Sequence, residues 1–181
     1  MDEKKLIAEC LKGKAAAQQE LYEHFSRELY GVSLRYARDA AQAQDILQES
    51  FIRIFRYLKD YQGKGSLGAW TRRIVVNVAL RMIQSSALKN EIYTDQFPDI
   101  PADTDVIADL TRQELLDVLQ QLPTGYRAVF NLFVIEGYSH AEIGAALGIE
   151  ESTSRSQLTK AKKMLRQLIL IQFPEYEKNK I

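Results

Sequence analysis

SHAEIGAALGIEESTSRSQLTKAKKMLR, residues 139–166, carries two helix signals on either side of one tight turn. Ser139 followed three residues later by Glu142 forms a capping-box pattern. The serine oxygen can accept a free amide at the helix start, and the glutamate can reach back to the serine amide. Ile143 and Leu147 lie four apart on one face, Gly144 permits close approach of a second helix, and Gly148 can take the positive φ that ends a helix in one residue. Ile149 plugs the turn. A second helix is expected from about Ser152, with Leu158, Ala161 and Leu165 inward and Arg155, Lys160, Lys162, Lys163 and Arg166 outward. Residues 153–166 contain no acid.

This pattern is a helix-turn-helix. A basic helix presented by a short helix before it suits the DNA major groove, where base edges display a readable donor and acceptor pattern and phosphates attract cations. A basic amphipathic helix alone fits a solvated surface better than it fits DNA. The capped first helix and Gly148 favour DNA.

The 181 residues allow one domain or two small ones, and 46% apolar content suits a folded chain. The 24 basic and 24 acidic residues cancel, but they are unevenly spread. Residues 1–90 hold 15 Lys and Arg against 10 Asp and Glu, residues 91–112 hold 1 against 6, and residues 113–181 hold 8 against 8. Two blocks therefore flank an acidic connector, and the basic face disappears in the average. The single Cys10 excludes an internal disulfide and fits a small buried hydrophobe in a reducing compartment. No apolar run approaches the roughly 20 residues of a membrane span, and the opening MDEKK has no signal-peptide core behind it. The expected location is the cytoplasm.

Apolar residues recur at three and four through nearly the whole chain, so an all-α fold is expected. Helices are expected at about 2–12, 15–37, 40–60, 68–89, 111–121 and 124–136, before the pair described above. The second buries Leu21, Phe25, Leu29, Val32 and Tyr36. GKGS at 63–66 breaks the chain, and the segment 91–109, with Pro98 and Pro101 among acids, is expected to be a flexible linker between two helical domains.

Two more helices carry informative faces. In DILQESFIRIFRYL, residues 45–58, the residues Leu47, Phe51, Ile54, Phe55 and Leu58 form a core face, while Asp45, Gln48, Glu49, Ile52 and Arg56 share another. That second face fits solvent, or a partner that would cover Ile52 among the carboxylates. In GAWTRRIVVNVALRMI, residues 68–83, Trp70, Arg73 and Asn77 lie within two turns, near Arg72 and Arg81. A flat ring among cations suits unpaired nucleic acid. A tryptophan near a helix start also fits burial, and Ile74, Val75, Val78 and Leu80 make much of this helix core. The histidines His24 and His140 have no Cys or carboxylate at ligand spacing, and no phosphate-binding glycine loop or nucleophile motif is present. No metal, cofactor or catalytic residue is expected.

Taken together, these segments resemble the extracytoplasmic-function sigma factors of the sigma-70 family, small initiation subunits of bacterial RNA polymerase. DILQESFIRIFRYL resembles the family's core-binding helix, GSLGAWTRRIVVNVAL its −10 recognition and melting helix, and residues 122–165 its −35 recognition domain. EESTSRSQL resembles members from Bacteroidetes.

The resemblance implies that residues 1–90 form the region 2 domain, 91–110 the linker and 111–175 the region 4 domain. It implies contacts of Asp45, Gln48, Glu49 and Ile52 with the clamp coiled coil of the polymerase largest subunit, and of the second domain with the flap of the second-largest subunit. Trp70, Arg72, Arg73 and Asn77 fall where the family handles an extruded −10 base. Ser152, Thr153, Arg155, Ser156, Thr159, Lys160, Lys162 and Lys163 fall where it contacts −35 DNA. An anti-sigma protein is left open as a further partner.

The sequence also departs from the family pattern. Ser154 stands where members commonly have valine, so less apolar surface is expected to pack inward there. Thr159 and Lys160 replace a frequent His-Arg pair, and Gln84, Ser85 and Ser86 stand where many members carry a basic run. The alternatives are a self-contained regulator, with a sensory N-terminal domain and a dimeric helix-turn-helix, and a pure protein-interaction module. Such a regulator has no use for the helix Asp45 to Leu58 together with the helix Trp70 to Arg81.

Overall fold

The computed structural model describes residues 2–86 and 111–174, and the acidic connector expected at 91–110 lies outside them. Among the described residues the regular elements are all helical. They belong to two units, Met1–Met82 and Ile83–Ile181.

The first unit is built on a helix pair. After α1 (Glu3–Leu11), whose start is capped by Asp2 accepting from the Lys5 amide at 3.2 Å, Gly13 takes φ 74° and turns the chain. The α2 helix (Ala15–Tyr36) then runs against α3 (Ala40–Tyr57). Leu21, Phe25, Leu29, Val32 and Tyr36 are buried, as their spacing predicts, and Leu47, Phe51, Ile54 and Leu58 meet them from the other side. Phe55, expected in the same core, is half-buried. Fully burying each large aliphatic contributes about 1.5–3 kcal/mol, so this seam holds the unit. Two serines lie in it. Ser33 and Ser50 donate to the carbonyls of Leu29 and Ile46, four residues back on their own helices, which satisfies their buried hydroxyls.

The expected third helix runs short. Regular α3 ends at Tyr57 and a 3₁₀ turn follows over Leu58–Asp60. The loop after it contains Gly63 and Gly65 at φ 70° and 84°. The α4 helix (Leu67–Ser86) opens with Ser66 accepting from the Ala69 amide at 3.2 Å. A Cβ on Gly68 would sit 3.4 Å from the Phe25 ring, so the first turn of α4 is seated on α2.

The second unit has a helix that is buried all round. The α5 helix (Arg112–Gln120) starts with a capping box between Thr111 and Glu114. Every residue of α6 (Thr124–Phe130) is buried. The single expected helix at 124–136 changes its pitch: residues Asn131–Ile135 form a π turn. Phe130, Asn131 and Leu132 are consecutive and all buried, which no single face at 100° per residue could achieve unless the core surrounds the helix. Arg127 is also buried, with its guanidinium donating to the Gln120 carbonyl at 3.0 Å, so a cation meets the C-terminal end of α5. The α7 (His140–Leu147) and α8 (Glu151–Gln172) helices complete the unit, with α8 packed on α5, α6 and α7.

Candidate protein and nucleic-acid interfaces

On α3 the spacing divides the helix cleanly. Asp45 and Gln48 are exposed, Glu49 is half-buried and Ile52 is 54% exposed, whereas Leu47, Phe51 and Ile54 on the other side are core. Glu49 is held by Arg53 at 2.6 Å one turn on. An i,i+4 pair of this kind contributes only about 0.3–0.5 kcal/mol, so it orients the carboxylate without committing it. The outcome is an exposed isoleucine beside carboxylates and an amide, on a helix fixed firmly from behind.

On α4 the exposed residues form a stripe. Trp70 is half-buried, and Arg73, Asn77 and Arg81 are exposed at steps of three and four from it. Arg72 is half-buried and lies a step away from this stripe. Ile74 is half-buried, while Val75, Val78 and Leu80 join the core as expected. The sequence reading missed Tyr61. Its ring lies 5.4 Å from that of Trp70, tilted by 50°, and its hydroxyl donates to the Gly65 carbonyl at 2.7 Å. Tyr61 thus ties the glycine loop to the aromatic end of the stripe. The signal was an aromatic residue directly before QGKG, followed nine residues later by the only tryptophan.

The helix-turn-helix forms with its expected caps. Ser139 accepts from the Glu142 amide at 3.3 Å, and the Glu142 carboxylate accepts from the Ser139 amide at 2.8 Å and its hydroxyl at 2.7 Å. Gly148 takes φ 70° and donates to the Gly144 carbonyl. The role of Gly144 differs in detail from expectation. A Cβ there would meet the Ile149 carbonyl oxygen at 2.8 Å and the Glu151 amide at 3.6 Å, so the approach it permits is that of the turn and the first residue of α8.

The α8 helix starts at Glu151, one residue before the expected start, and Leu158, Ala161 and Leu165 are buried as predicted. Ser152, Arg155, Ser156, Thr159, Lys160 and Lys162 are exposed, and Thr153 and Lys163 are half-buried. Residues 152, 155, 156, 159 and 163 follow one another at helical spacing and form a continuous face. Arg155 pairs with Glu151 one turn back. Arg166, expected on the outward face, is half-buried with its Nε and Nη1 shielded from water. It adjoins the buried Leu165 and Gln167 on the part of α8 that the core covers more widely.

Ser154 has a polar partner. It is fully buried, and its hydroxyl lies 2.9 Å from Nδ1 of His140. The His140 ring in turn stacks on Phe133, with centroids 4.4 Å apart and planes at 20°.

Among the described residues no group of three His, Cys, Asp or Glu side chains could hold a metal, and no helix is long and apolar enough to cross a membrane.

Residues 21–88 match the family described as Sigma-70 region 2, and residues 112–165 match Sigma-70, region 4. The chain is similar to the ECF RNA polymerase sigma factor SigL of Mycobacterium tuberculosis, 32% identical over 157 residues that cover 84% of this chain and 89% of the relative. It is 31% identical over 153 residues to the ECF RNA polymerase sigma factor SigE of Mycolicibacterium smegmatis, covering 81% of this chain and 59% of that longer relative. It is also 29% identical over 165 residues to the RNA polymerase sigma factor CarQ of Myxococcus xanthus, covering 87% of this chain and 91% of the relative.

The cap that starts α7 carries a pH signature. Hydrogen bonds from the Ser139 amide, then from its hydroxyl, hold the exposed Glu142 carboxyl below the ordinary glutamate value. A depressed folded pKa contributes stability that is complete above the unfolded value and lost as pH falls through the folded one. Glu142→Gln can still cap but cannot titrate. Wild type should therefore have the higher thermal midpoint at neutral pH, and the two proteins should converge in acid. A difference that stays constant across the titration would show that Glu142 does not act through its charge.

Proposed function

The chain belongs to the extracytoplasmic-function sigma factors of the sigma-70 family, and from that membership we propose that it binds RNA polymerase core and directs initiation at promoters defined by −10 and −35 elements. The observation that carries the reading is one of order. An exposed apolar and acidic face on α3, an aromatic and basic stripe on α4 and a basic helix-turn-helix follow one another along a chain whose relatives span both units. A self-contained regulator would need only the last of these. The two family matches, lying on either side of the connector, favour a factor that works through both units.

In this reading residues 1–90 bind core and act at the −10 element, residues 91–110 connect, and residues 111–175 act at the −35 element and on the polymerase flap. Asp45, Gln48, Glu49 and Ile52 contact the clamp coiled coil. Burying Ile52 supplies apolar area, while the carboxylates select a basic partner and speed encounter more than they add affinity.

Trp70, with Arg72, Arg73 and Asn77, receives a non-template base taken out of the stack. That step costs a few kcal/mol, which aromatic stacking of about 1–3 kcal/mol and backbone contacts offset. Tyr61 shapes the loop beside this site. Bond making and breaking belong to the polymerase.

On α8, Ser152, Thr153, Arg155, Ser156, Thr159 and Lys160 lie towards the N-terminal end, which in a helix-turn-helix meets base edges. Lys162 and Lys163 lie further along and serve phosphates. The Glu151–Arg155 pair is no obstacle to base contact. An exposed pair is worth well under 1 kcal/mol, against about 1–3 kcal/mol for a good bidentate contact to a base.

Two experiments test these assignments. Reversing charge with Asp45→Lys and Glu49→Lys together should weaken binding to polymerase core by roughly tenfold or more with helical content unchanged, because both side chains lie off the core face. A folded double variant that binds core as wild type does would remove α3 from the interface. At the other end of the chain, Arg155→Ala should cost about 1–3 kcal/mol on a matched −35 element and little on a scrambled one. Lys162→Ala should weaken both alike and reduce the salt slope of holoenzyme binding by about one contact. Equal losses on both elements for Arg155→Ala would make Arg155 a phosphate contact.

A further inference from the structure

Ser154 and His140 are unusual neighbours in this helix-turn-helix. Ser154 is fully buried within the part of α8 proposed to meet DNA, between Thr153 and Arg155. His140 is the first residue of α7, directly after the Ser139 cap that fixes the start of that helix. One hydrogen bond of 2.9 Å joins them. The imidazole cannot swing away easily, because its ring stacks on Phe133 of the π turn. Three elements therefore meet at His140 of α7: the π turn through the Phe133 ring and α8 through the Ser154 hydrogen bond.

The apolar contacts of α8 act differently. Hydrophobic burial is non-directional, so Leu158, Ala161 and Leu165 hold the helix down but constrain its rotation less sharply than a directional bond does. A hydrogen bond fixes direction. A rotation of about 10° moves a side-chain atom about 6 Å from the helix axis by about 1 Å, and base readout demands placement within roughly 0.5 Å. Contacts to phosphates are spread along the backbone and carry no sequence information, so they tolerate such a shift.

We infer that Ser154 and His140 form a positioning pair that sets the rotation of α8 on α7, and with it the direction in which Arg155, Ser156 and Thr159 present themselves to the −35 bases. The inference rests on the −35 reading proposed above. Neither residue touches DNA in this account. Both act through the base-reading side chains.

The test is a double-mutant cycle in holoenzyme reconstituted from the full chain and polymerase core. Ser154→Ala removes the hydroxyl, and His140→Phe keeps a flat ring on Phe133 while removing Nδ1, so each variant deletes the bond with little loss of volume. The readout is the ratio of initiation from a matched −35 element to that from a scrambled one, taken well below the thermal midpoint of every variant.

Each single variant should lower that ratio by about fivefold, the factor equivalent to one net hydrogen bond, with scrambled-element initiation nearly unchanged. The double variant should fall no further than either single one, because both delete the same contact. Unchanged ratios in variants of a wild type that does discriminate would overturn the pair as a positioning device. So would losses that multiply in the double variant, or a fall that is equal on both elements, which is the mark of a merely structural contact. A wild-type holoenzyme indifferent to the −35 sequence would instead remove the −35 reading itself, and this inference with it.

Discussion

At Gly144 a hydrogen stands where a methyl carbon would lie 2.8 Å from the Ile149 carbonyl oxygen. That missing carbon lets the turn close against α7 and lets α8 begin where it does. Gly148 completes the closure with a backbone conformation that costs an L residue roughly 1–2 kcal/mol and glycine almost nothing. The point at which α8 starts against α7 follows from this geometry. Leu158, Ala161 and Leu165 supply the burial that holds the helix in place, and the Ser139 capping box fixes where the supporting helix starts.

The same division between a fixed back and a free front recurs in the first unit. The seam between α2 and α3 buries Leu21, Leu29, Ile54 and their neighbours, and substituting one such residue by alanine costs about 2–5 kcal/mol. That rigidity lets Ile52 stand exposed beside Asp45 and Gln48 without being drawn inward. On α4, Val75, Val78 and Leu80 are core while Arg73, Asn77 and Arg81 face out, with Tyr61 and Trp70 at one end. Each proposed contact surface is thus the unburied face of a helix whose other face the fold requires. A partner meets side chains that are already organised, which lowers the ordering cost of binding.

Much of this was legible because helical periodicity is a local property. The spacing of Leu47, Phe51, Ile54 and Leu58 named one core face, and Ser139 with Glu142 named a helix start. What escaped the sequence depends on residues far apart in the chain or on several helices at once. Arg127 looks like a surface cation until α6 is seen to be enclosed, and apolar spacing over 124–136 carries no sign of the π turn at Asn131–Ile135. Arg166 has outward spacing but lies where the core covers α8 more widely. Ser154 looked like lost packing. Its partner His140 lies 14 residues away and has no ligand pattern around it, so only the assembled helix pair reveals the bond. Of the site residues expected from spacing and from the family resemblance, most are exposed, whereas Tyr61 enters through a ring contact and a loop hydrogen bond.

In the proposed function one chain joins polymerase core and promoter DNA through these separate faces. Its most direct test is initiation by purified core on a library of promoters randomised at both the −10 and −35 positions, with and without this protein. The account predicts transcripts that require both core and the chain, from promoters enriched at two separated elements. Specific promoter binding by the chain alone, with no transcripts on adding core, would contradict it and identify an autonomous regulator.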